Sequence, residues 1–196
     1  MASYDELFEL NDGILTLWGG QNTNHPEDPS AYLTGGLWGL DKKAFTMGRI
    51  DIRAKFDSAQ GFWPALWLLP QDGDAPNSGY GELDIVEHLN FDPYVHMTLH
   101  SEYTNLVDKV NTPNAVQAPF NEGEFNIYGV EVHEDKVVYL VNNKEVYSYP
   151  RLYPEIPGQF PFYGQKQFYV ILSAQLGGQW VGSVTCLLYR SDAADE

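Results

Sequence analysis

Positive charge is scarce in this sequence of 196 residues. It carries 11 Lys and Arg against 27 Asp and Glu, which gives a formal net charge of −16 at pH 7. Nucleic-acid binding takes most of its affinity from Lys and Arg on phosphates. We therefore expect no nucleic-acid partner, and sulfated or carboxylated polymers are disfavoured as ligands for the same reason.

Cysteine and long apolar runs are also scarce. Cys186 is the single cysteine, which excludes an intramolecular disulfide and a zinc site. The longest apolar stretch, residues 61–70, has about half of the roughly 20 residues that span a bilayer, and it contains Pro64. The first six residues lack the basic and apolar regions of a signal peptide. The chain is therefore expected to contain neither a membrane span nor a signal peptide.

Aromatic residues, glycine and proline are plentiful instead. The chain has 5 Trp, 13 Tyr and 10 Phe, and its 18 Gly and 12 Pro supply the breaks that many short strands require. Residues 48–56 alternate between apolar and charged side chains, as a half-buried strand does. Residues 137–149 predict a hairpin that turns at Asn142 and Asn143, because asparagine tolerates the positive φ angles of a tight turn. Residues 168–176 predict a further strand.

These patterns favour an all-β fold, an antiparallel β-sandwich, because strands follow one another without an amphipathic helix of normal length. No repeat or linker divides the chain, so residues 1–185 are predicted to form a single domain. Residues 186–196 break the strand pattern and resemble a translated sequencing adapter, and we expect them to be a non-native tail. Segments rich in Pro, Asn, Asp and Gly predict loops at residues 22–30, 71–79, 104–123 and 151–164.

The segment Gly-Glu-Leu-Asp-Ile-Val-Glu at residues 81–87 carries the strongest chemical signal. On a regular strand Glu82 and Asp84 share one face, while Glu87 would lie in the apolar core at a cost of several kcal/mol if unpaired. A one-residue β-bulge at Ile85 and Val86 returns Glu87 to the face of the other two carboxylates. Crowded carboxylates raise at least one pKa. The arrangement therefore suits a nucleophile that stays ionised beside an acid that stays protonated.

Two other interpretations of this segment remain open. An acidic chain can place three carboxylates on a solvent-facing strand by chance. Carboxylate oxygens also suit Ca²⁺ or Mg²⁺, although one bulged strand makes no wrapping ligand loop, and we predict no metal site.

Neighbouring segments favour a carbohydrate site. A strand at residues 62–70 would place Trp63 and Trp67 on one face, where they offer a stacking platform for sugar rings, although buried Trp is the commoner arrangement. A strand at residues 95–101 would place His96 and His100 opposite its core face. If it pairs with the carboxylate strand, both histidines lie beside the carboxylates and can hydrogen-bond them or a sugar hydroxyl.

Five ordered motifs resemble those of glycoside hydrolase family 16, and more narrowly of its bacterial laminarinase-like branch, which carries the extra bulge residue. The similarity covers residues 9–182. The motifs are Gly-Arg-x-Asp-x-Arg at residues 48–53, Trp-Pro-Ala-x-Trp at 63–67, Glu-x-Asp-x-x-Glu at 82–87, His-x-Thr-x-His at 96–100 and Leu-Gly-Gly-x-Trp-x-Gly at 176–182.

The resemblance implies a concanavalin A-like jelly roll with a concave substrate cleft and endo-acting, retaining cleavage of a β-linked polysaccharide. It implies that Glu82 is the nucleophile, that Asp84 orients and tunes it, and that Glu87 is the general acid/base. No cofactor is expected for catalysis. The residues expected to position the sugar are Trp63, Trp67, His96, His100, Gln175 and Trp180.

The sequence departs from the family pattern in several places. Asp51 stands where the family usually has Glu, and Val132 stands where it often has Trp, so one aromatic subsite is expected to be missing. Strands that the family has at both ends are not recognisable. We therefore expect a fragment of a secreted or periplasmic enzyme, incomplete at both termini and marginally stable. The family's structural Ca²⁺ site depends on those regions and is not expected here.

The favoured hypothesis is an endo-β-glucanase that works as a monomer on a neutral β-1,3 or mixed-linkage glucan. One alternative is an endo-β-galactosidase that acts on galactan or host glycans, because the same scaffold serves both. The other is a non-catalytic carbohydrate-binding jelly roll. The intact carboxylate triplet argues against the last, since a lectin needs no proton donor beside a nucleophile.

Overall fold

The computed structural model describes residues 4–72, 79–107 and 113–185. The proposed tail at residues 186–196, with Cys186, lies outside them, as do parts of the predicted loops at 71–79 and 104–123. In the described ranges the chain forms β1 (Phe8–Asn11), β2 (Ile14–Leu17), β3 (Gly19–Gln21), β4 (Tyr32–Thr34), β5 (Gly36–Trp38), β6 (Gly48–Ala54), β7 (Phe62–Pro70), β8 (Gly81–Glu87), β9 (Tyr94–Ser101), α1 (Glu102–Leu106), β10 (Ala115–Pro119), β11 (Asn126–Val132), β12 (Lys136–Val141), β13 (Lys144–Pro150) and β14 (Phe168–Leu176), with 3-10 turns at Asp5–Leu7 and Pro157–Gln159.

Two antiparallel sheets form the body of the fold. The larger sheet has six strands in the order β10-β9-β8-β7-β14-β5, and the smaller has four in the order β13-β12-β11-β6. Two short hairpins, β1–β2 and β3–β4, complete the described strands. This arrangement confirms the predicted all-β antiparallel sandwich.

The main core lies between the two sheets and is built from one face of each. In the larger sheet it takes the residues that alternate with the polar positions of β8 and β9. Tyr139 of the smaller sheet is fully buried, and its hydroxyl donates a hydrogen bond of 2.7 Å to the backbone oxygen of Thr98 in the larger one. Fully buried core residues include Leu83, Ile85, Val86, Val95, Met97, Leu99, Tyr128, Val130, Val137 and Tyr149.

The predicted hairpin and strands are confirmed. β12 and β13 pair across Asn142 and Asn143, whose φ angles are 50° and 65° as a tight hairpin turn requires. β6 places Ile50 and Ile52 against the core, while β14 has the predicted bounds. It is followed by Gly177 at a φ of 72°, a left-handed conformation that glycine adopts without strain.

The prediction of an uninterrupted loop over residues 104–123 is wrong in two places. Helix α1 extends to Leu106 and begins with a capping box between Ser101 and Thr104. Strand β10 pairs with β9 at the edge of the larger sheet. Its five residues carry a weak alternation signal, and it is a strand because β9 offers a free edge to pair with. In the described ranges no helix is long and apolar enough to cross a bilayer.

The larger sheet has a second face, opposite the core. Trp63 and Trp67 lie on it because Leu66 and Leu68, which alternate with them along β7, pack in the core. Glu82, Asp84 and Glu87 of the neighbouring strand β8 lie on the same side, and we call this surface the cleft face.

Candidate active site

A β-bulge in β8 brings the three carboxylates to the cleft face. Against β7, Leu66 pairs with Val86 and Trp67 pairs with Asp84, so Ile85 is the extra residue. Against β9, Asp84 pairs with Thr98 and Glu87 pairs with His96. Ile85 and Val86 are both fully buried in the core. The predicted bulge is confirmed, and it reverses the alternation just before Glu87.

Burial makes these carboxyl groups electrostatically unequal. Asp84 is 4% exposed, Glu87 is 6% exposed and Glu82 is half-buried. Desolvation, followed by repulsion from Asp84, raises the pKa of Glu87 to about 8. The same two causes raise the pKa of Glu82 above its ordinary value. Like charges in a poorly solvated site cannot all ionise together near neutral pH, so one of these groups holds a proton there.

Different donors contact the two glutamates. The indole N–H of Trp63 donates a hydrogen bond of 2.9 Å to Oε1 of Glu87. The hydroxyl of Tyr80 donates a short hydrogen bond to Oε2 of Glu82. Both bonds favour the ionised carboxylate and so oppose the pKa increase that burial causes. Each glutamate is therefore held by an aromatic side chain of its own.

His100 supplies positive charge to the site. Its Nε2 lies 3.2 Å from Oδ2 of Asp84, and its Nδ1 lies 3.2 Å from Oδ1 of Asn105 on α1. A histidine with an acceptor at each ring nitrogen donates from both, which is the protonated form. The bond to Asp84 is the main reason that the pKa of His100 rises to about 9. At neutral pH the Asp84 carboxylate is therefore paired with an imidazolium.

His96 occupies a different environment at the other end of the carboxylate row. It lies opposite Glu87 on β9, and its ring contacts Tyr94 and Trp180 at centroid distances of 5.4 and 5.1 Å. Its Nε2 is buried without a hydrogen-bond partner, 3.7 Å from a carboxylate oxygen of Asp92. Burial lowers the pKa of His96, so this ring is neutral at neutral pH and shapes the wall of the site.

Aromatic side chains surround the Glu87 end of the row. The rings of Trp63 and Trp180 meet edge to face, with centroids 5.1 Å apart, and Trp180 remains 48% exposed. Gln175 of β14 pairs with Trp63 and so shares its face. Trp67 pairs with Asp84 and donates its indole N–H to the Ser173 hydroxyl at 3.3 Å. The structure thus brings all six predicted sugar-positioning residues to the cleft face or its rim.

The profile of Glycosyl hydrolases family 16 matches residues 17–186. The chain belongs to glycosyl hydrolase family 16. The six-stranded sheet that carries the three carboxylates is therefore part of a family 16 fold.

Relatives and solved structures agree with this family. The chain is 32% identical over 186 residues to the beta-glucanase of Rhodothermus marinus and 31% identical over 160 residues to the keratan-sulfate endo-1,4-beta-galactosidase of Sphingobacterium multivorum. These matches cover 90% and 81% of the chain, but 63% and 37% of the relatives. The solved laminarinase of Rhodothermus marinus is 26% identical with a TM-score of 0.78, over 94% of this chain and 75% of that one. The laminarinase catalytic domain of Thermotoga maritima is 26% identical with a TM-score of 0.77, over 92% and 74%.

The sequence analysis did not identify two residues of this site, Tyr80 and Asn105. Tyr80 lies two residues before Glu82, and the two-residue period of a strand could have placed it on the same face. Asn105 follows His100 by five residues and reaches it because α1 folds back at the end of β9. No periodic signal points to that contact.

Glu82, Asp84 and His100 form a group of side chains of the kind that can ligate a cation, where the sequence predicted no metal site. Ligand atoms of Glu82, Asp84 and His100 lie within 4.8 Å of one another. A histidine must lose its proton to ligate a metal, whereas the pKa of His100 is raised to about 9. In the structure His100 instead contacts Asp84 and Asn105 through its two ring nitrogens, each at 3.2 Å.

Proposed function

We propose that this chain is the catalytic domain of an endo-acting, retaining glycoside hydrolase that cleaves β-1,3 or mixed-linkage β-glucan. The observation that carries the proposal is the row of carboxylates on the cleft face, in which a bulge turns Glu87 to the side of Glu82 and Asp84. Retaining hydrolysis requires two carboxyl groups, one ionised and one protonated. The beta-glucanase and the solved laminarinase of Rhodothermus marinus, to which the chain is similar, support the substrate class by their names.

Glu87 is proposed as the general acid/base. With a pKa of about 8 it is mostly protonated at neutral pH, and it can donate that proton to the leaving glycosidic oxygen. The Trp63 N–H then stabilises the carboxylate that remains. In the second step this carboxylate accepts a proton from the water that attacks the glycosyl-enzyme.

Glu82 is proposed as the nucleophile that attacks the anomeric carbon. The Tyr80 hydroxyl and the nearby charge of His100 both favour its ionised form. Asp84 is proposed to orient and tune Glu82, and also to hold His100 in place and to keep Glu87 protonated through its own negative charge. The cycle forms a C–O bond to Glu82, breaks the glycosidic bond, and then transfers the sugar to water with net retention. It needs two carboxyl groups and water, and no cofactor.

Trp63, Trp67 and Trp180 are proposed to stack on sugar rings, and Gln175, His96 and His100 to contact their hydroxyl groups. A neutral polysaccharide fits this site because a chain of net charge −16 repels polyanions. We further propose that residues 1–185 act as one monomeric domain. Polysaccharides do not enter cells intact, so the parent protein is proposed to be secreted or periplasmic.

Paired variants test the two roles. Glu82→Gln should abolish turnover of every substrate. Glu87→Gln should lose about 10²- to 10⁴-fold on polysaccharide, yet still form the glycosyl-enzyme from an aryl glycoside whose leaving group needs no proton, and azide should accelerate its breakdown. Glu145→Gln, an exposed glutamate on β13, is the matched control and should be fully active. Equal losses for both variants on the aryl glycoside, without an azide effect, would contradict the assignment.

A second candidate function is endo-β-galactosidase activity. It is favoured by the 31% identity to the keratan-sulfate endo-1,4-beta-galactosidase of Sphingobacterium multivorum. Incubating the protein with purified laminarin, mixed-linkage glucan, unsulfated galactan and keratan sulfate, and sizing the products, separates the candidates. Oligosaccharides from the glucans alone support the first function. Oligosaccharides from galactan or keratan sulfate alone support the second function. Binding without any product supports the non-catalytic alternative.

A further inference from the structure

Trp38 is an exposed tryptophan on the larger sheet that lies outside the group of residues proposed to bind sugar. It is the last residue of β5, the edge strand of that sheet, and its side chain is 63% exposed. Exposing so much apolar surface has a solvation cost, but a single exposed tryptophan is ordinary on a protein surface, so the position of Trp38 relative to the candidate active site decides whether it has a role.

The register of the sheet places Trp38 in line with the candidate active site. Trp38 pairs with Ile171 of β14, and Ile171 pairs in turn with Trp67 of β7. Trp67 pairs with Asp84. Residues directly opposite one another in an antiparallel sheet project to the same face. Asp84, Trp67, Ile171 and Trp38 are therefore aligned across four neighbouring strands, from the candidate active site to the edge of the sheet.

The burial of β14 confirms which face this row occupies. Val170 and Leu172 pack against the core between the sheets, so Ile171 between them projects to the cleft face. Ile171 is 2% exposed, and in the register it lies between Trp67 and Trp38. Trp38 thus lies on the cleft face and not on the core face.

The backbone holds Trp38 in a defined position. Leu37 pairs with Leu172 on one side, and on the other the N–H of Gly39 donates a 2.9 Å hydrogen bond to the backbone oxygen of Val170. The paired backbone fixes where the Trp38 ring leaves the sheet, so only its side-chain torsions have to be ordered when a ligand stacks on it.

We propose that Trp38 is a distal sugar-binding platform that stacks on a pyranose ring of the same glucan chain that the active site cleaves. This inference rests on the proposed function. Two interstrand spacings separate the backbone of Trp38 from that of Trp67, a distance of about 10 Å. An uncharged ring face with apolar C–H groups is the chemistry that an indole recognises, and a β-linked hexopyranose offers it. The platform therefore raises kcat/KM for long substrates relative to short ones.

The test measures how strongly catalysis and binding depend on chain length. Cleavage of β-1,3-gluco-oligosaccharides from the trisaccharide to the heptasaccharide is followed for the wild type, Trp38→Ala, Trp38→Phe and Leu37→Ala. Leu37 neighbours Trp38 but projects to the opposite face, so Leu37→Ala controls for disturbance of β5. Binding of the same oligosaccharides is measured by calorimetry in the Glu82→Gln background, in which no turnover is expected.

For the wild type we expect kcat/KM to rise with chain length. In Trp38→Ala the ratio of kcat/KM on the heptasaccharide to that on the trisaccharide should fall about tenfold, mainly through KM, since a stacking contact gives roughly that factor. Trp38→Phe should retain most of the ratio, and Leu37→Ala all of it. The Kd ratio in the Glu82→Gln background should change in parallel.

An unchanged ratio in Trp38→Ala, or an equal fall in Leu37→Ala, would overturn the platform. If the wild type cleaves no glucan but Trp38→Ala still reduces the dependence of binding affinity on chain length, the platform stands and the proposed activity fails. If the wild type neither cleaves nor binds these oligosaccharides, both are wrong.

Discussion

Trp63 and Glu87 are joined by a hydrogen bond of 2.9 Å from the indole nitrogen to Oε1. The same tryptophan presents its ring to the cleft, where Trp180 meets it edge to face. A residue proposed to stack on sugar is thus also a donor to the proposed general acid/base. Under the proposed function, sugar binding and proton transfer would be coupled through this one side chain.

Trp63→Phe should move the pH dependence of the enzyme. The Trp63 N–H lowers the pKa of Glu87 against the larger effect of burial, so its loss should raise that pKa above about 8. The basic limb of the kcat/KM profile should then shift to higher pH, whatever the change in absolute activity. Trp67→Phe is the control, because Trp67 donates to Ser173 and not to a carboxylate. A basic limb that stays in place in Trp63→Phe would contradict this coupling.

The pH profile of wild-type activity should be bell-shaped, and both of its limbs should lie at higher pH than the ordinary pKa of glutamate would give. Activity should fall as pH rises through about 8, where Glu87 loses the proton it must donate. On the acid side, activity should fall as Glu82 is protonated, at a pH above the ordinary value of 4.5 because its pKa is raised. Initial rates on laminarin across this range measure both limbs. A basic limb at or below pH 6 would show that Glu87 is not the acid.

Asp84→Asn should lower the pKa values of two neighbours. Repulsion from Asp84 is the second cause of the raised pKa of Glu87, and the bond to Asp84 is the first cause of the raised pKa of His100. Without this charge Glu87 should ionise at lower pH, which moves the basic limb down and lowers kcat at pH 7 about 10- to 100-fold. Titration of the His100 ring by NMR should show its pKa falling from about 9 toward 6.5. A basic limb that moves up would refute this role.

Glu87→Gln should stabilise the fold while it inactivates the enzyme. A carboxyl group whose folded-state pKa is raised contributes its full stability below the unfolded pKa, near 4.5, and loses it as pH rises through about 8. The wild type should therefore lose stability across that window, and the uncharged amide should not. At pH 8 we expect Glu87→Gln to have the higher free energy of unfolding by about 1–3 kcal/mol. Urea denaturation at pH 4.5 and 8 measures the difference, which should be small at the lower pH. Equal stability of both proteins at pH 8 would argue against a desolvated carboxyl group.

Much of this site could be predicted from the sequence because the rules involved are local. A strand places alternate residues on one face, and that rule, with the cost of burying Glu87, was enough to locate the bulge at Ile85 and Val86. The same rule put His96 and His100 beside the carboxylates once the two strands were paired. The hairpin at Asn142 and Asn143 followed from the φ angles that asparagine tolerates.

Other features depended on which distant segments meet, and no periodicity carries that information. Strand β14 lies between β7 and β5, which aligns Trp38 with Trp67 although 29 positions separate them along the chain, from 38 to 67. The contact of Trp180 with both Trp63 and His96 joins three separate segments. The sequence by itself determined which residue types lie on each strand face, because side-chain direction alternates with every residue. Only the tertiary structure decided which faces share a row, because strand order and register are set by the packing of the whole sandwich.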